Sequence, residues 1–303
     1  MGSRGLVGRL TPRHDTNNIE SHTFRMNFKN YIFDCDGVLW KGSTLIPGVI
    51  ETLKVLKSKN KKLLFVSNNS TSSREEYLQK FKKFGIDFIE KSDIINSGYI
   101  AALYASKLKK KVFVIGMDGL IQELKEENIE ILENSFLIKE FKDMKLLSTE
   151  NQVGAVVVGF DLNINYTKLA LAHALLKDKD VEFIATNTDS TFPMENGTLP
   201  GTGSIVSSIV TSTNRQPIVL GKPNLEMLNI LLQKFNLNPL ETCMIGDRLD
   251  TDILFGKNGN LHTILVLSGV STLEDVENSL IKPDLVIESI ADLRTTAPEA
   301  FRN

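Results

Sequence analysis

Two carboxylates, Asp34 and Asp36, stand two residues apart where the apolar run Tyr31-Ile32-Phe33 ends, and Gly37 follows at once. The run reads as a buried strand, and Asp-Gly as the turn that closes it. Open α/β sheets gather their ligands beyond the carboxyl ends of strands, so the pair stands where chemistry is done. Carboxylates this close repel unless a cation or a proton lies between them. The spacing therefore points to a bound metal, a raised pKa, or both.

Three further clusters carry related groups: Ser67-Asn68, Gly221-Lys222-Pro223, and Gly246-Asp247-Arg248-Leu249-Asp250-Thr251-Asp252. Ser67 and Asn68 offer a hydroxyl and an amide to an oxyanion, and backbone N–H groups of the following turn can join them. Read alone, Ser-Asn-Asn-Ser fits a loop of Asx-turns equally well. Lys222 is a point charge with its backbone restricted by Pro223, although a lone lysine in such a loop also reads as solvated. A carboxylate can attack phosphorus and split ester hydrolysis into two steps through an acyl phosphate. Such a site must supply positive charge, because phosphate esters repel anionic nucleophiles.

The elements that must hold these groups alternate. After the first strand, Ile50, Leu53 and Leu56 have helical spacing, and Leu63-Leu64-Phe65-Val66 is the continuous apolar run of a strand covered on both faces. Ser72-x-x-Glu75 is expected to cap a helix that presents Tyr77, Phe81 and Phe84 and stops at Gly85. Strand signals recur at 111–115, 154–160, 181–186, 217–220, 242–245 and 262–267, with helical patterns between them at 97–108, 166–176 and 225–235. This rhythm predicts an α/β fold with a mainly parallel sheet and right-handed crossovers. Thr198-Leu199-Pro200-Gly201-Thr202-Gly203 has the composition of a linker.

The totals bound the function. The 303 residues suffice for two domains, and 35 basic against 37 acidic side chains leave a formal net charge of −2. That balance gives no support to a nucleic-acid or membrane surface. No apolar stretch approaches the ~20 residues of a membrane span. Two distant cysteines, Cys35 and Cys243, fit a reducing cytosol, and four scattered histidines form no zinc spacing, so a bound metal would take oxygen ligands. Cys35 and Trp40 read as packing residues and His173 as a helix-face residue. Residues 1–25 lack the apolar core of a secretory signal, and Asp15 and Glu20 argue against a transit peptide. They are expected to be a disordered extension, or one added upstream of the true start.

The four clusters, in this order and local setting, resemble the haloacid dehalogenase-like phosphohydrolases over about Tyr31 to Leu267. The resemblance implies a Rossmann-like core over 26–105 and 203–303, interrupted by a smaller α/β cap over 106–202. It implies Asp34 as nucleophile and Asp36 as acid/base, with Ser67, Asn68 and Lys222 binding phosphate. It implies Mg²⁺ held by Asp34, Asp247 and the backbone carbonyl at Asp36, with Asp252 orienting that shell. Asp250 is left as a helix cap, and Arg248 as a cation able to pair with a carboxylate, with no substrate role assigned.

The inserted region is similar to the cap of the phosphoglycolate phosphatase, 4-nitrophenylphosphatase and pyridoxal phosphatase group. Ala185-Thr186-Asn187-x-Asp189 with Pro193 and Glu195-Asn196-Gly197 looks like the phosphoglycolate branch, whereas the pyridoxal branch would place a histidine near Phe192. Residues 187–196 are expected to meet the leaving group, with Asn187, Asp189 and Phe192 setting specificity; the alternative is that Phe192 packs inside the cap. The expectation is a cytoplasmic Mg²⁺-dependent phosphomonoesterase, homodimeric through the cap, acting on a small phosphorylated metabolite, foremost 2-phosphoglycolate. Pyridoxal phosphate, a sugar phosphate or a phosphoprotein is the alternative within the group, and a catalytically silent scaffold the alternative outside it. Retention of Asp34, Asp36, Lys222 and Asp247 argues against the scaffold.

Overall fold

The computed structural model describes residues 27–132, 153–194 and 197–296. The expected extension over 1–25 and the Glu195-Asn196 part of the cap motif lie outside the described residues.

Walking the chain, β1 (Asn30–Phe33) leads through a small hairpin of β2 (Trp40–Lys41) and β3 (Thr44–Leu45) to α1 (Val49–Ser58) and β4 (Lys62–Ser67). Then come α2 (Arg74–Lys83), β5 (Ile94–Asn96) and α3 (Ser97–Ala105). A second unit follows with β6 (Lys111–Ile115), α4 (Asp118–Glu126), β7 (Val153–Val158), α5 (Tyr166–Leu175), β8 (Glu182–Ala185), the hairpin β9 (Thr191–Met194) and β10 (Gly197–Pro200), α6 (Thr202–Thr213) and β11 (Ile218–Val219). The chain closes with α7 (Leu225–Phe235), β12 (Thr242–Gly246), α8 (Leu254–Asn258), β13 (His262–Val266), α9 (Leu273–Asn278), β14 (Leu285–Ile287) and α10 (Leu293–Thr296).

The first sheet has the order β14-β13-β12-β1-β4-β5 and is parallel throughout. Its central strands are buried on both faces. Tyr31, Phe33, Leu63, Phe65, Cys243 and Ile245 belong to one apolar cluster, and the alternating Ile32, Leu64, Val66 and Met244 to another. Each such side chain withdrawn from water contributes about 1.5–3 kcal/mol. The chain leaves β1 toward β4 on one side and meets β12 on the other, so β1 is the switch point of the sheet. Phe33 pairs with both Phe65 and Ile245, which brings Asp34, Ser67 and Asp247 to the same sheet edge.

The second sheet, β11-β8-β7-β6, is also parallel. Val156 and Val158 face their own helices, whereas Ala155 and Val157 share a cluster with Ile32 and Val66 of the first unit. A buried ion pair adds to this contact. The Arg74 Nε donates to Glu123 Oε2 at 2.8 Å, joining α2 to α4, and the guanidinium lies 3.3 Å from the Tyr99 ring centroid.

Three local expectations differ from the structure. The second unit extends past residue 202, because α6 packs on α5 and β7, and β11 completes the second sheet. The stretch read as a linker is strand β10 and the start of α6; a Cβ on Gly201 would fall 2.3 Å from the Asp189 carbonyl oxygen, so this glycine permits close backbone approach. The capping box of α2 starts one residue later than expected: Ser73 is the extended cap residue and pairs with Glu76, while the Ser72 carbonyl accepts from Asn96. Among the described residues, no helix is long and apolar enough to cross a membrane.

Candidate active site

Asp34 leaves β1 with its backbone N–H bonded to the Ile245 carbonyl at 2.8 Å, so its side chain starts from the middle of the sheet edge. Asp247 follows β12, and Asp252 lies in the π-helical turn Leu249–Ile253 that comes next. Oxygen atoms from these three buried carboxylates lie within 4.8 Å of one another. Asp252 accepts through Oδ2 from the backbone N–H of Asp247 at 3.2 Å and of Arg248 at 3.1 Å, which ties the loop to the cluster. Asp247 Oδ2 accepts from Val270 N at 2.8 Å. Gly37 explains part of this packing: its φ is +86°, and a Cβ there would lie 2.3 Å from Asp247 Oδ2.

Lys222 supplies the positive charge. Its Nζ donates to Asp34 Oδ1 and to the Val66 carbonyl at 3.1 Å, and forms an ion pair with Asp252 Oδ1 at 2.7 Å. Burial pushes this ammonium toward its neutral form, but Asp252 and Asp34 overcome it and hold the pKa above its ordinary value. Burial raises the Asp34 carboxyl well above the carboxylate range; Lys222 opposes the shift, and Asp252 and Asp247 reinforce it. Burial and then Asp252 push Asp247 from 3.8 up to about 7. Three buried carboxylates against one lysine form a site short of positive charge. Hard oxygen donors in this number suit Mg²⁺, which takes few protein ligands and keeps waters. The residues present thus fit the metal, with Asp34, Asp247 and Asp252 as the side chains able to hold it.

Asp36 stands outside that carboxylate trio. Its Oδ1 accepts from the Trp40 indole N–H at 2.9 Å, and Lys80 Nζ lies 4.0 Å away while also lying over the Trp40 ring at 4.2 Å. Trp40 is therefore packing, as its type suggested, and also orients Asp36. The contact is i to i+4 across a turn, a geometry that the spacing alone does not reveal. Cys35 is fully buried, and burial followed by the charges of Asp34 and Asp36 holds it as a thiol, in keeping with a packing role.

The β4 end differs from expectation in one respect. Ser67 Oγ shares a hydrogen bond with Tyr77 Oη at 3.0 Å and accepts from Asn69 N at 3.1 Å. Asn68 does not aim its amide at open space. Its Oδ1 accepts from Lys222 N at 2.8 Å, and its Nδ2 donates to the Lys222 carbonyl at 2.9 Å and to the Asp189 carboxylate at 3.2 Å. This side chain clamps the Lys222 backbone and links it to the second unit. The reason is the close passage of the Gly221 turn, where a Cβ would lie 2.7 Å from Asn68 Oδ1.

Asn187 and Asp189 approach from beyond β8. Asn187 Nδ2 donates to the Asn68 carbonyl at 2.8 Å, and its Oδ1 accepts from Asp189 N at 3.1 Å. Burial raises the Asp189 carboxyl, against the lowering effects of Asn68 and then Arg248. Phe192 stacks on Phe160 with centroids 4.5 Å apart and 24° between planes. All the sequence-derived candidates, Asp34, Asp36, Ser67, Asn68, Asn187, Asp189, Phe192, Lys222, Asp247 and Asp252, line one cavity of about 220 Å³ between the two units. Phe192 thus both packs within the second unit and lines the cavity. Arg248, Thr251 and Val270 line it too, and sequence reasoning gave none of them a substrate role. A larger open depression of about 570 Å³ at Lys109–Lys111 and Glu127 lies at the opposite end of β6 and contains none of these groups.

Residues 31–130 match the family model described as haloacid dehalogenase-like hydrolase, and residues 219–293 match a HAD-hydrolase-like model. The chain is 40% identical to Phosphoglycolate phosphatase 2 of Arabidopsis thaliana over 91% of its own length and 96% of that protein's. It is 40% identical to a 4-nitrophenylphosphatase of Schizosaccharomyces pombe, with 92% and 97% covered. Among solved structures, a p-nitrophenyl phosphatase from Archaeoglobus fulgidus superposes with a TM-score of 0.77 at 34% identity, covering 88% of this chain and 98% of that one.

Proposed function

The chain belongs to the haloacid dehalogenase-like hydrolase family, and from that premise we propose that it hydrolyses small phosphate monoesters through a phosphorylated Asp34, with Mg²⁺ as its metal and 2-phosphoglycolate as its preferred substrate. The observation that carries the reading is a buried aspartate bonded to a buried lysine, among two more carboxylates, at the floor of a cavity of about 220 Å³. Asp34 attacks phosphorus while Asp36 gives its proton to the leaving oxygen, so the P–O ester bond breaks as the acyl phosphate forms. Asp36 then takes a proton from water, and the resulting hydroxide attacks phosphorus and restores the Asp34 carboxylate with release of phosphate. Lys222 offsets charge on Asp34 and on the incoming phosphoryl oxygens. Bound Mg²⁺ supplies further positive charge there and lowers the repulsion between nucleophile and ester. Asn68 holds Lys222 in place, and the stacked Phe192 and Phe160 narrow the space for the leaving group and keep water from it.

The small cavity favours a compact ester over a folded phosphoprotein. The test is steady-state turnover of 2-phosphoglycolate, pyridoxal phosphate, a sugar phosphate and 4-nitrophenyl phosphate by the purified protein with Mg²⁺. The highest kcat/KM is expected for 2-phosphoglycolate; no turnover of any ester would return the scaffold reading. Pairing of two copies through the second unit belongs to the same proposal. The exposed Met194 and Leu199 of the β9–β10 hairpin support it, and a monomer mass by light scattering would remove it.

A pH effect follows from Asp247, whose pKa rises from 3.8 to about 7 on folding. A raised carboxyl contributes stability that is fully present below its unfolded value and is lost as pH climbs through the folded one. The metal-free protein should therefore weaken between about pH 4 and 7, while Mg²⁺, which binds the deprotonated form, should bind better there. Displacing the Asp247 proton alone predicts an apparent affinity about 100-fold weaker at pH 5 than at pH 8, and the raised Asp34 carboxyl acts in the same direction. Thermal melts with and without Mg²⁺ check this; a stabilisation by Mg²⁺ that is the same at both pH values would contradict it.

A further inference from the structure

We propose that Arg248 seats a second anionic group of the substrate, a carboxylate one carbon beyond the ester oxygen; this rests on the phosphatase reading above and assigns its selectivity to a side chain. Among the described residues, the cavity lining carries five carboxylates, Asp34, Asp36, Asp189, Asp247 and Asp252, and two cations, Lys222 and Arg248. Lys222 is committed, since its side chain is 2% exposed and bound to Asp34 and Asp252. The chemistry of the phosphoryl group leaves Arg248 unused. A substrate with a carboxylate as well as a phosphate brings more negative charge into a lining already rich in it, and Arg248 is the remaining cation that can receive it.

The geometry suits that task. Arg248 follows Asp247 directly, and its backbone N–H is fixed to Asp252 Oδ2 at 3.1 Å, so its stem starts beside the phosphoryl end of the cavity. Its guanidinium spends two N–H groups on Asp250, from Nε at 3.1 Å and from Nη2 at 2.9 Å. A guanidinium carries five, so three remain for an incoming carboxylate. Asp250 is 66% exposed, and an ion pair so open to water fixes the side chain more than it stabilises the fold. Asp189 of the second unit lines the same cavity, and the Arg248 charge works against the burial that raises its carboxyl. A planar fork reads a carboxylate through two parallel hydrogen bonds, which neither a hydroxyl nor a methyl group can match.

The experiment compares kcat/KM for 2-phosphoglycolate with that for ethyl phosphate, which has the same chain length and no carboxylate, in the wild-type protein, Arg248→Met and Arg248→Lys. The ratio of the two values is expected to favour phosphoglycolate in the wild type. It should fall about 10- to 100-fold in Arg248→Met, mainly through KM, and less in Arg248→Lys, which keeps the charge and loses the fork. A wild-type preference that survives both substitutions overturns the assignment of Arg248 and leaves the phosphatase reading standing. The same holds if both esters lose activity in equal proportion, which marks a positioning effect. A wild type that hydrolyses ethyl phosphate as well as phosphoglycolate overturns the substrate and this inference together.

Discussion

Asp34→Asn is expected to abolish steady-state turnover, by about 10⁴-fold or more, while leaving the fold intact. The amide is nearly the same size as the carboxylate but is a poor nucleophile, so the acyl phosphate cannot form. The stability expectation comes from the surroundings. Asp34 is buried against Asp252 and Asp247, and its carboxyl is raised well above the ordinary range by burial and by those neighbours. Removing one negative charge relieves repulsion, and the amide keeps an oxygen for the Lys222 ammonium. The melting temperature of the metal-free protein should be unchanged or higher. Asp36→Asn should differ in kind: it removes the proton donor, so an aryl phosphate with a good leaving group can still phosphorylate Asp34 while an alkyl ester cannot. Rapid-quench trapping of phosphorylated protein from 4-nitrophenyl phosphate separates the two variants. Near-normal hydrolysis by pure Asp34→Asn would remove Asp34 from the role of nucleophile.

The sequence carried the strand ends well and the cross-chain contacts poorly, for a physical reason. Strands buried on both faces must be apolar without interruption, so Tyr31–Phe33, Leu63–Val66 and Cys243–Ile245 announce themselves, and the polar residues that follow them are legible as a sheet-edge cluster. The trio Asp34, Asp247 and Asp252 forms at the edge that this logic indicates. Partners set by tertiary approach leave no such pattern. Asn68 has the composition of a phosphate donor, yet the passage of the Gly221–Lys222 backbone beside it turns its amide into a clamp. Trp40 has the composition of core, and it is core, but its indole N–H also meets Asp36. Pro200-Gly201-Thr202-Gly203 has the residue types of a flexible linker, which places the expected limit of the second unit at residue 202. In the fold Gly201 instead lets two backbone segments touch, and the chain remains within the second unit until β11.

The second large effect is expected at Lys222, where stability and activity should fall together. Its side chain is 2% exposed, and it lies against Asp34 and Asp252, whose side chains are 11% and 2% exposed. Replacing it with methionine keeps much of the volume and removes the only cation paired with those two carboxylates among the described residues. Leaving a buried charge without its partner costs about 3–5 kcal/mol, well beyond the value of a surface pair. The deficit should depend on pH. Lys222 pulls the Asp34 carboxyl down, so without it that pKa rises further, and a raised carboxyl loses its stabilising contribution as pH climbs through the folded value. The variant should therefore lie nearer to wild type at pH 5 than at pH 8. Turnover should fall on the order of 10³-fold, because a buried cation facing the phosphoryl oxygens acts where water cannot replace it. A double variant, Lys222→Met with Asp252→Asn, divides the two effects. Removing one of the stranded charges should restore part of the stability and none of the turnover. Urea melts at the two pH values give the first quantity and 4-nitrophenyl phosphate hydrolysis the second. If Lys222→Met melts like wild type at pH 8, the lysine is not the countercharge that the buried carboxylates require, and the electrostatic account of the site fails at its centre.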